Sequence, residues 1–204
     1  MKLIPSYSLL LLTVVMLTTG CTVSPPKNQQ NICAIFREKD GWYDDAADAR
    51  DNWNSPIPVM MAIMHQESRF KQKAKPPRTK IFGFIPGPRP SSSYGYSQAK
   101  KATWDWYMRS SGNYGSDRDD FADAIDFIGW YNHTSRKKSN IQPNDTYHLY
   151  LAYHEGHGGF NRRTFKKKPW LIKVAKKVSA RSNRYASQLA GCEESLKSPW
   201  WKFW

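Results

Sequence analysis

The chain has 204 residues, with 31 Lys and Arg against 17 Asp and Glu, so its formal net charge is +14. This length suits a single domain of ordinary size with a substantial core, and the charge suits an anionic partner. The three cysteines form no Cys-x-x-Cys pair and no Cys/His ligand spacing, which excludes the usual zinc-binding and thiol-redox motifs.

Residues 1–20 have the features of an export signal. A positive start is followed by an apolar run from Leu9 to Leu17 that is too short for a comfortable membrane span. The run ends in Thr18-Thr19-Gly20-Cys21, which resembles a bacterial lipoprotein signal in which Cys21 is lipidated. Thr18 departs from the Leu, Val or Ile usual there, and an ordinary signal peptide with an incidental Cys21 is the alternative. Both interpretations predict export, which argues against nucleic acid as the partner and favours anionic envelope components.

Residues 21–30 are polar and contain two prolines, which predicts a tether ahead of a folded domain over residues 31–204. In the domain, apolar residues recur at helical spacing and convincing alternating strands are scarce, so the sequence predicts a mainly α fold. The exception is the Pro/Gly-rich stretch 71–94, which predicts a small β-hairpin or a long loop. The predicted helical segments are 32–36, 46–53, 57–64, 99–109, 121–131, 147–154, 171–178 and 183–189.

Two cysteines remain for the domain when Cys21 is assigned to the lipid. Cys33 lies near the start of the predicted domain and Cys192 near its end. An even pair in an oxidising compartment predicts a disulfide, worth about 4–5 kcal/mol in the chain-entropy treatment of so long a loop. Two buried free thiols are the alternative.

Glu67 is the strongest candidate for a catalytic group. The residues seven, four and three positions before it are Met60, Ile63 and Met64, so a helix would place its carboxyl on an apolar stripe. Glu67 also falls near the predicted helix C-terminus, whose partial negative charge disfavours a carboxylate. Both effects raise the pKa toward the value that a general acid needs at neutral pH. The alternative is that the helix ends earlier and leaves Glu67 exposed.

Four short motifs follow one another along the predicted domain. They are Glu67-Ser68-Arg69-Phe70, Gly95-Tyr96-Ser97-Gln98, Ala152-Tyr153-His154-Glu155-Gly156, and Tyr185 within the last helical segment. In this order they resemble soluble-lytic-transglycosylase-like (SLT) domains, whose patterns are Glu-Ser, Gly-Leu-Met-Gln, Ala-Tyr-Asn-Ala-Gly and a later tyrosine. The inner residues of the second and third motifs depart from these patterns, while the glutamate, the glutamine and the third-motif tyrosine are kept.

The resemblance implies a lysozyme-like helical domain that cleaves the β-1,4 bond between N-acetylmuramic acid and N-acetylglucosamine without consuming water. It implies that Glu67 acts as both acid and base and that Ser68 orients the sugar's acetamido group or Glu67 itself. Gln98 and Tyr153 would shape the subsite, and Tyr185 would hydrogen-bond near Glu67. It implies no cofactor and no metal.

The expected partners are peptidoglycan glycan strands with their acidic stem peptides and, through the lipid on Cys21, a membrane. Thr22 stands where an Asp would favour inner-membrane retention, so the periplasmic face of the outer membrane is the expected location. We expect a monomer. The aromatic end 199–204 predicts either a membrane-interface segment or one that folds back onto the domain.

Weaker candidates leave other functions open. The acids Asp117, Asp119 and Asp120 offer a second carboxylate for a hydrolytic muramidase, although their position suits the start of a helix. His65, His154, Glu155 and His157 offer a metal site, but not at the HExxH spacing. The basic run 162–168 suits a solvated loop as well as an anion site. A non-catalytic envelope protein that binds peptidoglycan is the alternative from another functional class.

Overall fold

The structure is a computed structural model that describes residues 22–197. The predicted export signal, the lipidation of Cys21 and the aromatic end 199–204 lie outside these residues. The described chain contains eight α-helices, a 3-10 helix and one two-stranded hairpin. This confirms the prediction of a mainly α, lysozyme-like fold. None of the helices within residues 22–197 is long and apolar enough to cross a membrane.

The elements follow one another with short connections except around the hairpin. In chain order they are α1 (Ile32–Glu38), α2 (Trp42–Trp53), α3 (Ile57–Ser68), β1 (Lys80–Ile81), β2 (Ile85–Pro86), α4 (Lys101–Ser111), α5 (Phe121–Ser139), α6 (Thr146–Asn161), the 3-10 helix (Thr164–Lys167), α7 (Pro169–Ala190) and α8 (Glu193–Leu196).

Helix α5 is the centre of the domain and packs against α2, α3, α4 and α6. Gly129 permits the close approach of α2, because a Cβ there would lie 2.8 Å from Cδ1 of Trp53. Asp126 ties three helices together, accepting hydrogen bonds from Trp53 Nε1 on α2 and the Tyr107 hydroxyl on α4, each at 2.6 Å. Helix α7 closes the domain by packing on α3 and α6.

Two helices differ from the sequence prediction. The segments predicted at 171–178 and 183–189 form one helix, α7, whose buried stripe continues through Ser182. The segment predicted to stop at Gly156 resumes after it, because Gly156 adopts φ +71° and ψ 157° and kinks α6 rather than ending it. Helix α5 begins at Phe121, where its segment is predicted to begin, and Asp120 caps it by accepting a hydrogen bond from the backbone N–H of Asp123.

The Pro/Gly-rich stretch 71–94 contains the small hairpin, with Lys80 opposite Pro86 and Ile81 opposite Ile85. The ends of this stretch are fixed to the domain. The backbone N–H of Gly95 donates to the Ala74 carbonyl at 3.0 Å, and the Arg118 guanidinium donates to the Ser92 carbonyl at 2.8 Å. The hairpin therefore projects from an anchored base.

The two ends of the described chain meet. Cys33 and Cys192 form the predicted disulfide, which joins α1 to the residue before α8. The end of the predicted tether lies against α7: the Tyr185 hydroxyl donates to the Gln29 carbonyl, and Arg181 donates to the side chain of Gln30. This segment is held by specific hydrogen bonds where it is described.

Candidate active site

A cleft of about 350 Å³ lies where the C-terminal end of α3 meets α5, α6 and the loop before α4. Each wall comes from a different element, so the cleft exists only in the folded domain. Its lining includes Glu67, Ser93, Gln98, Lys100, Phe127, Tyr131, Tyr153, His154 and Glu155. Residues from the first three predicted motifs are thus brought together here.

Glu67 reaches this cleft from the last turn of α3. The helix is buried on nearly every side, with Met60, Ile63 and Met64 wholly inaccessible, so its final turn is held within the core. The helix ends at Ser68, because Arg69 turns into the left-handed conformation. Burial raises the pKa of Glu67 to about 7, and a hydrogen bond from Tyr150 opposes part of that rise. Near neutral pH the carboxyl can therefore both hold and release a proton.

Two tyrosines of α6 stand next to Glu67. Tyr150 and Tyr153 are three positions apart and so share a helix face. Burial and the negative charge of Glu67 raise the pKa of both hydroxyls above the ordinary value, so both remain protonated donors. The Tyr153 hydroxyl donates to the Ser97 carbonyl at 2.7 Å, which fixes the second motif against the third.

Gln98 and Gly95 give the second motif its shape. The Gln98 amide Nε2 donates to the carbonyls of Ala74 and Gly95, each at 2.9 Å, so the side chain closes its own loop at the edge of the cleft. Gly95 has φ +74°, and a Cβ there would lie 1.8 Å from the Arg118 carbonyl oxygen. Only glycine fits this position, which gives a physical reason for the motif's first residue.

Ser68 and Tyr185 lie away from the cleft lining. The Ser68 hydroxyl is buried and donates to the Met64 carbonyl one turn earlier at 3.2 Å. Tyr185 is buried, and its hydroxyl donates to Gln29; burial is the main cause that raises its pKa, with Arg181 and Arg184 opposing. Tyr150, and not Tyr185, is the tyrosine hydrogen-bonded to Glu67. The sequence feature that indicates Tyr150 is its helical spacing, because it lies three residues before Tyr153 and so on the same face of the helix.

Glu155 is the second carboxylate of the cleft, and only 3% of its side chain is exposed. Burial alone would raise its pKa, but hydrogen bonds from Lys168, Thr164 and His154 outweigh burial and lower the pKa to about 2. Lys168 Nζ lies 2.7 Å from Oε1, and the Thr164 hydroxyl donates to Oε2. Both oxygens are therefore occupied by donors, in contrast to the protonatable Glu67.

The acids at 117–120 do not line the cleft. Asp120 caps α5, and Asp119 accepts a hydrogen bond from the Tyr94 hydroxyl at 3.0 Å. These contacts give Asp119 and Asp120 structural roles. The carboxylate that shares the cleft with Glu67 is Glu155, a residue of the third motif that the sequence offers as a metal ligand and not as a second carboxylate.

A lysozyme-like helical domain with a buried glutamate of raised pKa in its cleft defines the structural class of this protein. Comparison with protein families narrows that class, since residues 9–192 match the family described as Transglycosylase SLT domain. The chain belongs to this family. Comparison with curated proteins and with solved structures finds no match. The family assignment agrees with the resemblance inferred from the four motifs.

Proposed function

We propose that this protein is a lytic transglycosylase that cleaves the β-1,4 bond between N-acetylmuramic acid and N-acetylglucosamine and leaves 1,6-anhydro ends. The observation that carries the proposal is Glu67, a carboxyl with a pKa of about 7 in a cleft whose other carboxylate is fully occupied. Membership of the SLT family supports peptidoglycan as the substrate.

Glu67 would serve twice in one reaction. Its proton passes to the glycosidic oxygen as the C1–O bond breaks, which leaves the glutamate ionised. The C6 hydroxyl oxygen of the same sugar then bonds to C1, and its proton returns to Glu67. The bond is broken without water, and the enzyme regains its starting protonation state. Because the sugar provides the attacking oxygen, one glutamate replaces the two carboxylates of ordinary glycoside hydrolysis.

The tyrosines and Gln98 would prepare Glu67 for this exchange. The hydrogen bond from Tyr150 favours the ionised form, so it stabilises the glutamate after proton donation. Tyr153 and Gln98 hold the 95–98 loop as the opposite edge of the cleft. No metal and no cofactor takes part in this scheme.

A hydrolytic muramidase is the second candidate, and Glu155 is the observation that favours it, since a second carboxylate in the cleft is what a hydrolase requires. A base must accept a proton from water, however, and the three donors on Glu155 oppose that role. We therefore assign Glu155 to holding α6 against the 3-10 helix and the start of α7.

The cellular setting is also proposed. The lipoprotein-like signal supports lipidation of Cys21 and attachment of a monomeric enzyme to the periplasmic face of the outer membrane. Such an anchor would keep the enzyme beside the peptidoglycan layer.

The deciding experiment digests peptidoglycan with the purified protein in water enriched in heavy oxygen and identifies the products by mass spectrometry. We expect 1,6-anhydro ends, each lighter than a reducing end by one water and free of the heavy isotope. Glu67→Gln should abolish cleavage while the circular dichroism spectrum is unchanged. Glu194→Gln, the same change at a carboxylate that is 89% exposed, is the matched control.

Reducing ends that carry the heavy oxygen would show that water attacks the bond, and they would identify the protein as a hydrolytic muramidase instead. Full activity of Glu67→Gln would refute the assignment of the catalytic group. A wild-type protein that binds peptidoglycan and leaves it intact would place the chain among non-catalytic envelope proteins.

A further inference from the structure

Residues 71–94, which contain the two-stranded hairpin, are called here the basic hairpin. The tip of this segment, residues 81–85, exposes apolar side chains. Phe82 is 85% exposed and Phe84 is 76% exposed, and Ile81 and Ile85 beside them are both 44% exposed. Among the described residues seven large apolar side chains are exposed, and four of them lie in these five consecutive positions. Grouping of this kind marks an interaction site, whereas scattered exposed apolar residues need no explanation.

The backbone of the tip adds a conformational cost to the exposure. Phe82 has φ +51° and Gly83 has φ +81°, so both central residues of the turn 81–84 lie in the left-handed region, as in a type I′ turn. Asn or Asp ordinarily occupies the first of these positions, because a bulky side chain is strained there. Phe82 bears this strain without being buried by the domain. An external apolar environment would compensate for both costs.

The base of the basic hairpin is strongly cationic. Residues 71–94 contain Lys71, Lys73, Lys75, Arg78, Lys80 and Arg89 and no acidic residue. All six are exposed, and none of them takes part in the ion pairs found among residues 22–197. The stem between charge and tip is ordered: the Thr79 and Gly87 backbone N–H groups donate across it at 3.0 and 2.7 Å.

We propose that the basic hairpin inserts its tip into the surface of an anionic lipid bilayer. Phe and Ile side chains at the end of a projecting turn match the boundary between headgroups and acyl chains. The cations at its base would then lie at the level of the phosphates, where each Lys or Arg strengthens binding. This arrangement of charge and apolar surface is what distinguishes a membrane site from a protein-binding groove. The inference concerns a surface separate from the catalytic scheme and does not depend on it.

The orientation of the domain follows from two contacts. The backbone N–H of Val23 donates to the Gln72 side chain at 2.8 Å, so the chain two residues after Cys21 lies beside the base of the hairpin. Gln98, at the edge of the cleft, donates to the Ala74 carbonyl. A lipid on Cys21 and the hairpin tip would therefore engage the same bilayer. The hydrogen bond from Gln98 to Ala74 would join the edge of the cleft to the basic hairpin that binds this bilayer. One lipid signal alone gives weaker anchoring than two.

The test measures binding of the chain produced without residues 1–21, which removes the export signal and any lipid, to vesicles of phosphatidylglycerol and phosphatidylcholine. We expect binding that requires phosphatidylglycerol and weakens with salt. Phe82→Ser with Phe84→Ser should lower the partition coefficient at least about tenfold, while Tyr114→Ser, another strongly exposed aromatic residue, leaves it unchanged. Lys73→Gln with Lys80→Gln should lower it on the order of tenfold, and Lys166→Gln with Lys167→Gln should not.

Three kinds of result would overturn the proposal. The first is binding that does not depend specifically on the hairpin, seen as equal losses in the Tyr114 or Lys166/Lys167 controls or as unchanged binding of the tip variant with a native circular dichroism spectrum. The second is tip-dependent binding to polyglutamate rather than vesicles, which would assign an acidic protein partner. The third is a tip-dependent dimer in sedimentation, which would identify a second copy of the chain as the partner of the tip.

The membrane proposal and the enzymatic proposal can fail separately. Glu67→Gln should bind vesicles normally, and the tip variant should cleave soluble glycan fragments normally.

Discussion

Glu67 and Glu155 share one cleft, yet their surroundings act on the two carboxyls in opposite directions. Around Glu67, burial exceeds the effect of one hydrogen bond, and the pKa rises to about 7. Around Glu155, three donors exceed the effect of burial, and the pKa falls to about 2. Opposed pKa values within one site are the usual means by which a protein separates a proton-exchanging carboxyl from a permanently charged one.

Tyr150→Phe tests how the proton of Glu67 is controlled. Proton donation requires the protonated form, so activity should fall as pH rises through the Glu67 pKa, about 7 in the wild type. The variant loses a hydrogen bond that lowers this pKa, so the falling limb of kcat/KM should move to higher pH by roughly one unit. A bond to a charged group is worth roughly 1.5–3 kcal/mol, and one pKa unit corresponds to about 1.36 kcal/mol.

Tyr107→Phe is the control for this shift. Tyr107 is also buried and also donates to a carboxylate, Asp126, but it does not line the cleft. Its variant should keep the pH profile even where its stability falls. A limb that moves to lower pH in Tyr150→Phe would contradict the proposed effect of the hydroxyl on Glu67.

The sequence identifies some of these residues and misses others for a physical reason. Glu67 was predictable because a carboxyl that extends an apolar helical stripe is conspicuous at the level of spacing alone. The state of Glu155 is not predictable, because it depends on Thr164 and Lys168, which reach it only because the chain turns at the 3-10 helix. Spacing reveals contacts within a helix, whereas contacts across a turn need the fold.

At the scale of elements, the same limit explains why the sequence predicts two segments where α7 is a single helix. In α7 the buried positions Leu171, Ala175, Val178, Ser182, Tyr185 and Leu189 alternate at steps of four and three residues. Ser182 is polar, but it occupies a buried position at the regular spacing of this stripe. Its hydroxyl is satisfied there because it accepts a hydrogen bond from Thr146 on α6 at 3.0 Å. A polar residue satisfied by a neighbouring helix looks like a helix break when the neighbour is unknown.

The kink of α6 gives an element-scale prediction with an internal control. Gly156 combines φ +71° with ψ 157°, a region open essentially to glycine alone, so Gly156→Ala should lower the free energy of unfolding by about 1–3 kcal/mol. Activity should fall with it, since Gly156 and Glu155 both line the cleft. Chemical denaturation and cleavage assays at one pH measure the two effects.

Gly158→Ala is the matched substitution two residues later. There the helix has resumed, and an added Cβ would lie 3.3 Å from a terminal guanidinium nitrogen of Arg162, the flexible end of a long side chain. Alanine is the better helix former by up to about 1 kcal/mol, so this variant should be neutral or more stable. Equal destabilisation by both substitutions would show that the backbone at Gly156 is not the determinant.

For the whole molecule, the Cys33–Cys192 disulfide closes a loop with a sequence separation of 159 residues, nearly the entire described chain. The bridge is supported by other links between the same ends, including the hydrogen bond from the Tyr43 hydroxyl to Glu193 and the Arg50–Glu193 ion pair, each at 3.1 Å. Because these links bring α2 and α8, the last helix among residues 22–197, together without the disulfide, the folded state does not depend on the bridge for its geometry. Its effect should fall mainly on the unfolded state.

Cys33→Ser with Cys192→Ser should therefore destabilise the domain while leaving its activity intact. A loop of this length corresponds to about 4–5 kcal/mol in the chain-entropy treatment, a large part of the total stability of a typical domain. We expect the midpoint of denaturation to fall sharply, and kcat/KM below the transition to equal that of the wild type, because neither cysteine lines the cleft. Reduction of the wild type should reproduce the loss, and reduction of the variant should change nothing. Loss of activity without loss of folded structure would contradict the prediction that the bridge affects stability alone. It would show that the bridge shapes the cleft and does not act only on the unfolded chain.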